Sequence, residues 1–177
     1  MRVSVIIPVY NGAATLEDTI RSFLNQRGFV AGEGEIVLCD DGSQDGSREI
    51  LDHYVGHGQV RVLHQENRGQ SAATNAAAQA ARGEILLFAA QDVTPQDDHF
   101  VRGHIQSHVE GGRDRVVTGC ICYPHELLTS DFMAFLHDSH QQFDYFNISD
   151  PDNLDPMKLY APNFSVKRTW FFRVGGI

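Results

Sequence analysis

The chain has 177 residues, of which 42% are hydrophobic and 21% charged, and a formal charge of −9. That length suits one domain with a substantial core, and that composition excludes a disordered chain. The 14 lysines and arginines are scattered, which excludes a non-specific nucleic-acid surface and a polybasic lipid anchor.

Val3-Ser4-Val5-Ile6-Ile7-Pro8-Val9 predicts a first strand, β-branched and apolar, with Pro8 tolerable only near its end. Tyr10-Asn11-Gly12 forms a turn, and residues 14–26 carry Leu16, Ile20, Phe23 and Leu24 at helical spacing. Residues 35–39 predict a second buried strand that ends in Asp40-Asp41-Gly42-Ser43. Asp45 or Ser47 then caps a helix whose inner face holds Ile50, Leu51 and Tyr54. Residues 60–63 form a third strand, and the alanine-rich residues 71–81 form a slim helix that Gly83 ends.

Ile85-Leu86-Leu87-Phe88-Ala89-Ala90-Gln91-Asp92 drives an apolar run into the sheet and stops at one carboxylate. Such a run reads as a buried parallel strand. Beyond residue 96 the pattern loosens. A helix is expected over 98–109, a strand over 115–123 that contains Cys120 and Cys122, helical structure over 129–146 and a loop over 150–156.

Strand and helix thus alternate four times with short connections, the pattern of an α/β fold with a mostly parallel sheet flanked by helices on both faces. Right-handed crossovers put every strand-end loop on one edge, where open α/β sheets bind ligands. The three cysteines, Cys39, Cys120 and Cys122, are an odd set without zinc-type spacing and are expected to be reduced, as in the cytoplasm. No apolar run approaches the roughly 20 residues that cross a bilayer, and residues 3–9 run into a turn without the flank or cleavage site of a secretory signal.

Three features converge on that edge: Pro8-Val9-Tyr10-Asn11, Asp40-Asp41-Gly42-Ser43 and Gln91-Asp92. Tyr10 offers a ring face to a nucleobase. Asp40 or Asp41 can accept from a base imide N–H or a ribose hydroxyl. Asp92 can hold Mg²⁺ or Mn²⁺ against a diphosphate, since hard cations prefer oxygen ligands. The plainer reading of each element is a helix cap or turn for the acids and a packing role for Tyr10. The histidine pairs His53/His57 and His104/His108 lack the glutamate of a zinc-protease motif and are expected to face solvent or pack. His137 and His140 are read the same way, and Phe132, Phe135, Phe143, Tyr145 and Phe146 as core or cleft wall.

The arrangement resembles the family-2 glycosyltransferases of the GT-A fold. The opening strand, Asp40-Asp41-Gly42-Ser43-Gln44-Asp45-Gly46-Ser47, Asn67-Arg68-Gly69-Gln70-Ser71 with Asn75, and Pro162-Asn163-Phe164-Ser165-Val166-Lys167-Arg168 through Gly175-Gly176 match that family's ordered elements. The resemblance implies a GT-A (Rossmann-like) domain over 1–177, with residues 1–95 as its nucleotide-sugar half and 96–177 as the start of its acceptor half. It implies a nucleotide-diphosphate sugar donor, UDP- or dTDP-linked, and a glycan, lipid-linked or small-molecule acceptor in polysaccharide or glycoconjugate synthesis. Pro8, Val9, Tyr10, Asn11, Asp40, Asp41, Asn67, Arg68 and Gln91 would bind the nucleotide, and Asp92 the metal. An inverting attack is implied, on the cytoplasmic side, with peripheral placement at the inner membrane face left open.

Three departures from the family pattern stand out. The Asp-x-Asp element is Ala90-Gln91-Asp92, where Gln91 can hydrogen-bond a ribose or water. The arginine before Asn75 is Thr74, with Arg68 as a candidate replacement. The catalytic base, which usually follows the Gly-Gly turn, is expected beyond Ile177, so a donor-binding pseudoenzyme or inactive fragment is the alternative. A nicotinamide oxidoreductase is disfavoured because Asn11-Gly12-Ala13-Ala14 supplies no Gly-x-Gly-x-x-Gly.

Overall fold

The computed structural model describes residues 1–27, 29–110, 115–139, 148–150 and 152–177. The chain runs β1 (Val3–Val9), α1 (Leu16–Leu24), β2 (Gly34–Asp40), α2 (Ser47–His53), β3 (Val60–His64), α3 (Gln70–Ala80) and β4 (Ile85–Ala89). It continues with α4 (Phe100–Glu110), β5 (Val116–Thr118), α5 (Asp131–Ser139), β6 (Asn163–Lys167) and α6 (Arg168–Arg173).

The six strands form one sheet in the order β3-β2-β1-β4-β6-β5. β1 pairs in parallel with β2 and β4, and β2 with β3, whereas β6 is antiparallel to both β4 and β5. The sheet is therefore mixed. Its parallel part is the predicted one, and the reversal enters at β6, which sits inside the sheet instead of at its edge.

Alternation along the strands divides the core into two layers. Val3, Val5, Ile7 and Val9 of β1, with Ile36, Leu38 and Leu87, pack under Leu16, Ile20 and Phe23 of α1 and Leu51 of α2. Ile6, Val37, Leu86 and Phe88 face the opposite way, onto Ala73, Ala77 and Ala78 of α3 and Phe171 of α6. Small alanines let α3 lie close on the sheet. Phe88 stacks on Phe164 of β6 with ring centroids 4.5 Å apart, which ties the antiparallel strand to the parallel core.

Several local expectations need correction. Gly83 does not terminate α3, whose extended cap residue is Ala81. Gly83 instead passes so close to β1 that a Cβ there would lie 2.5 Å from the Ser4 nitrogen. Neither Asp45 nor Ser47 is the cap residue of α2, a position held by Gly46 without a side-chain cap bond. Asp45 Oδ1 does accept from the Ser47 amide at 2.9 Å, at the start of α2, while Asp45 Oδ2 and Ser47 Oγ reach the loop after β1.

The strand over 115–123 shrinks to Val116–Thr118, so Cys120 and Cys122 lie beyond it, both exposed. The backbone is pulled out of the ladder just past β5, where Asn163 donates from Nδ2 to the Cys120 carbonyl at 3.0 Å. The helix over 129–146 is α5 as far as Ser139, with no buried residue. Phe132 and Phe135 are accordingly exposed instead of core, while His140, Phe143, Tyr145 and Phe146 lie outside the described residues. No described helix is long and apolar enough to cross a membrane.

Candidate functional site

The loops that follow β1, β2, β3 and β4 all leave the sheet at its carboxyl edge. The order β3-β2-β1-β4 puts the point where the chain reverses its winding between β1 and β4, the usual place for a ligand crevice in such sheets. A cavity of about 440 Å³ opens there, lined by Pro8, Val9 and Tyr10, by Asp41, by Asn67, Gly69, Gln70 and Ala73, and by Ala90, Gln91 and Asp92. Four segments far apart in the sequence meet in this space.

The loop after β1 is braced from below. Asn11, in the left-handed region at φ 50°, accepts on Oδ1 from the Gln44 amide at 2.8 Å and donates its own amide to Ser43 Oγ at 3.0 Å. The Gly12 amide donates to Ser47 Oγ at 2.8 Å, and the Ala13 amide to Asp45 Oδ2 at 3.0 Å. Asp45 and Ser47 thus anchor this loop. The braces leave Tyr10 47% exposed at the cavity.

The two acids after β2 do different work. Asp40 is buried, accepts from the Ser43 amide at 3.0 Å and pairs with His64 Nδ1 at 3.1 Å. It does not line the cavity. Asp41 does: its Oδ1 accepts from Gln65 Nε2 at 2.6 Å and the Arg68 amide at 2.9 Å, and its Oδ2 from the Gly69 amide at 2.9 Å. Burial opposes ionisation of Asp41, but the bonds from Arg68, Gln65 and Gly69 outweigh it and hold the carboxyl below the usual range. For Asp40, burial is likewise overcome by Ser43 and His64.

Asp41 also shapes the start of α3. Its hold on the Arg68 and Gly69 amides bends the chain through Gly69 at φ 92°, a conformation that favours glycine. α3 follows with no side-chain cap bond and no acid in its first turn, so its free amides and positive dipole end border the cavity. Thr74, buried, bonds the Gln70 carbonyl at 2.8 Å. Arg68 is exposed; it gives the lining acid a hydrogen bond from its backbone amide and, more weakly, the attraction of its charge.

After β4 the chain turns sharply. The Gln91 carbonyl accepts from Thr15 Oγ1 at 3.0 Å and Thr19 Oγ1 at 2.8 Å. Its side-chain amide accepts from the Tyr10 N–H at 2.8 Å and donates to the Tyr10 carbonyl at 3.0 Å. Asp92, by contrast, is exposed and lines the cavity.

The described residues contain no group of three or more potential metal ligands. One free carboxylate on a cavity suits Mg²⁺ or Mn²⁺ in the mode where substrate phosphates and water complete the shell. Of the residues expected at the nucleotide, Pro8, Val9, Tyr10, Asp41, Asn67 and Gln91 line the cavity, whereas Asn11, Asp40 and the Arg68 side chain stand behind or beside it. Sequence reasoning missed Gln65, Thr15, Thr19 and the lining residues Gly69, Gln70 and Ala73. Only the last three had a signal, as part of or next to the Asn67–Ser71 element.

His104 and His108, read as packing or solvent-facing, pack. Ser165 Oγ of β6 meets His104 Nδ1 at 2.8 Å and His108 Nε2 at 2.9 Å, and His104 Nε2 meets Asn163 Oδ1 at 3.1 Å. Burial pushes His104 down to about 4.

The description Glycosyl transferase family 2 belongs to a family model that matches residues 4–161. The chain is 40% identical over 87 residues to the uncharacterized glycosyltransferase EpsJ of Bacillus subtilis, a stretch covering 49% of this chain and 24% of that protein. Among solved structures it is similar to the mannosyltransferase PcManGT from Pyrobaculum calidifontis in complex with GDP-Man and Mn²⁺, with a TM-score of 0.71 and 22% identity over 99% of this chain and 47% of the other. It is also similar to glucosyl-3-phosphoglycerate synthase from Mycobacterium tuberculosis in complex with Mn²⁺ and UDP-Glc, with a TM-score of 0.61 and 19% identity over 95% of this chain and 56% of the other. These likenesses show a GT-A fold. The chain spans about half the length of the solved structures and about a quarter of the curated relative.

Proposed function

On the premise that the chain belongs to glycosyltransferase family 2, we propose that it takes a sugar from a UDP- or dTDP-linked donor and transfers it to an acceptor hydroxyl, with Mg²⁺ or Mn²⁺ held at Asp92. The observation that carries this reading is the meeting of Tyr10, Asp41 and Asp92 on one cavity. Tyr10 supports the base from one side and Asp41 reads its edge. Asp92 faces the diphosphate. Two carboxylates beside a diphosphate would repel it, so a divalent cation between them is the natural bridge. When bound, the metal stabilises charge on the departing diphosphate.

Asp41 also favours one class of base. Its Oδ1 already accepts two hydrogen bonds and its Oδ2 one, so about one acceptor position remains. Uracil and thymine offer a single imide N–H on that edge. Guanine presents two adjacent donors and needs both oxygens. Of the similar solved structures, one carries GDP-Man and others UDP-Glc or UDP-GlcNAc, so the family name alone leaves the choice open.

The reaction proposed is an inverting attack by the acceptor hydroxyl on the anomeric carbon, with the diphosphate leaving against the metal. The acceptor is a glycan, lipid-linked or small-molecule hydroxyl in polysaccharide or glycoconjugate synthesis at the cytoplasmic side. Neither lining acid suits the base role, since Asp41 is held by its donors and Asp92 is assigned the metal. Among the described residues none is assigned as base, and a protein that binds donor without transferring sugar is the second reading.

Calorimetric titration with UDP, dTDP and GDP, with and without Mn²⁺, tests the proposal. UDP and dTDP are expected to bind, to gain at least about tenfold from Mn²⁺, and to exceed GDP by about tenfold or more. Absence of binding, or an Asp92→Asn variant that keeps the whole Mn²⁺ gain, would overturn it. Release of UDP in the presence of acceptor separates transfer from binding alone.

A further inference from the structure

Gln91 stands in the middle of the triplet, where the sequence suggested a hydrogen bond to a ribose or water. The residue lines the cavity, and its side chain holds the Tyr10 backbone. The Tyr10 N–H reaches Gln91 Oε1 at 2.8 Å, and Gln91 Nε2 reaches the Tyr10 carbonyl at 3.0 Å. The pairing between β1 and β4 has ended by then, its last partners being Ile6 and Phe88. The amide therefore substitutes for a neighbouring strand, satisfying one donor and one acceptor of a peptide that has left the ladder.

The clamp is itself held on two sides. Thr15 and Thr19 of the α1 region fix the Gln91 carbonyl. Gly12 lies against the amide so tightly that a Cβ there would sit 2.5 Å from Gln91 Cδ and Oε1 and 2.8 Å from Nε2, its three nearest neighbours all belonging to that one side chain. Gly12 is thus a space requirement of Gln91.

We propose that Gln91 is a positioning residue for nucleoside recognition: by clamping the Tyr10 peptide from both sides it sets where the Tyr10 ring meets the base. The nucleoside half of this inference rests on the function proposed above, while the clamp itself does not. A carboxylate in the same place would accept from the Tyr10 N–H but confront the Tyr10 carbonyl with a lone pair, so a glutamine does here what an acid cannot.

The test is a double-mutant cycle with Gln91→Ala and Gly12→Ala, read by uridine and UDP affinity and by hydrogen exchange at the Tyr10 amide. Each single variant is expected to weaken uridine and UDP alike by about tenfold, and the double variant by no more than either single one, because both remove the same contact. The Mn²⁺ gain should persist in all of them, since Asp92 is untouched. Tyr10 amide exchange should accelerate in each variant while amides of β1 and β4 stay protected, a pattern that general destabilisation would not produce. Gln91→Glu keeps the size of the side chain and should still speed exchange and weaken binding.

Additive losses in the cycle, or unchanged Tyr10 exchange in Gln91→Ala and Gln91→Glu, would overturn the clamp. Altered exchange with unchanged uridine affinity would overturn its nucleoside role. If the wild-type chain binds neither uridine nor UDP, the proposed function falls with that role, and the exchange data still decide the clamp.

Discussion

Strands β1, β2 and β4 are apolar on both faces and bury almost every residue, whereas half of the described buried residues beyond residue 95 are polar. Among the described residues past that point, the buried apolar ones are Val101, Phe164, Val166 and Phe171, and they share the interior with His104, His108, Asn163 and Ser165. The first region is held by non-directional burial, which tolerates shape changes but not loss of volume. The second docks on it through β6, where geometry at a few hydrogen bonds decides the fit. The cavity-lining loops grow from the rigid region, and that is why Tyr10, Asp41 and Asp92 can be held in register.

The sharpest contrast comes from core truncation. Leu87→Ala, at a fully buried position of β4, should cost about 2–5 kcal/mol in denaturant unfolding. A smaller loss would mean that the sheet centre relaxes around the cavity. Next is the pH response of the docked region. Because His104 falls from the usual 6.5 to about 4 on folding, the unfolded chain binds a proton that the native one refuses between those values. Stability is therefore complete above about pH 6.5 and falls by about 3 kcal/mol as the pH drops to 4, where the slope ends. His108 shifts the same way through burial and then the charges of Lys167 and Arg115. Unfolding measured across that window in a His104→Gln, His108→Gln double variant should show most of the slope gone; an intact slope would place the titration elsewhere.

Asp41→Asn tests the boundary between the two kinds of support, since it accepts from the Arg68 and Gly69 amides and from the Gln65 side chain. The variant should lose about 1–3 kcal/mol, and its Arg68 and Gly69 amides should exchange faster. Wild type itself should lose the contributions of Asp40 and Asp41 only below about pH 4, where their unfolded carboxyls take up protons. The smallest effect is expected at α5: Phe135→Ala, at a side chain 57% exposed, should stay within about 0.5 kcal/mol. A larger cost would show that α5 is buried against something in solution and would weaken the contrast.

Residues 1–89 were legible because each element carries its own instruction. Leu16, Ile20 and Phe23 mark one helix face, and the runs 36–38 and 85–88 mark strands buried on both sides. The convergence of Tyr10, Asp41 and Asp92 followed from the handedness of the crossovers, so their shared cavity could be expected from the order of elements. The reversed strand could not, since Phe164 and Val166 alternating with Asn163, Ser165 and Lys167 read only as a half-polar strand, and that pattern does not say which strand it pairs with. Asn163 and Ser165 gave no hint that α4 would meet them through His104 and His108.

The sequence by itself determined a layered α/β domain with two acids and an aromatic at the carboxyl edge of its sheet, because hydrophobic period and chain handedness are local and cumulative. Only the tertiary structure decided which polar groups face the cavity and which are spent inside the protein. Asp40 and Asp41 are neighbours with the same chemistry, yet His64 and Ser43 claim one while the other borders the cavity. Gln91 lines the cavity, and its side-chain amide also bonds the Tyr10 N–H and carbonyl, which no pattern in the chain announces. A hydrogen bond depends on distance and angle between groups far apart in sequence, and no spacing along the chain encodes that.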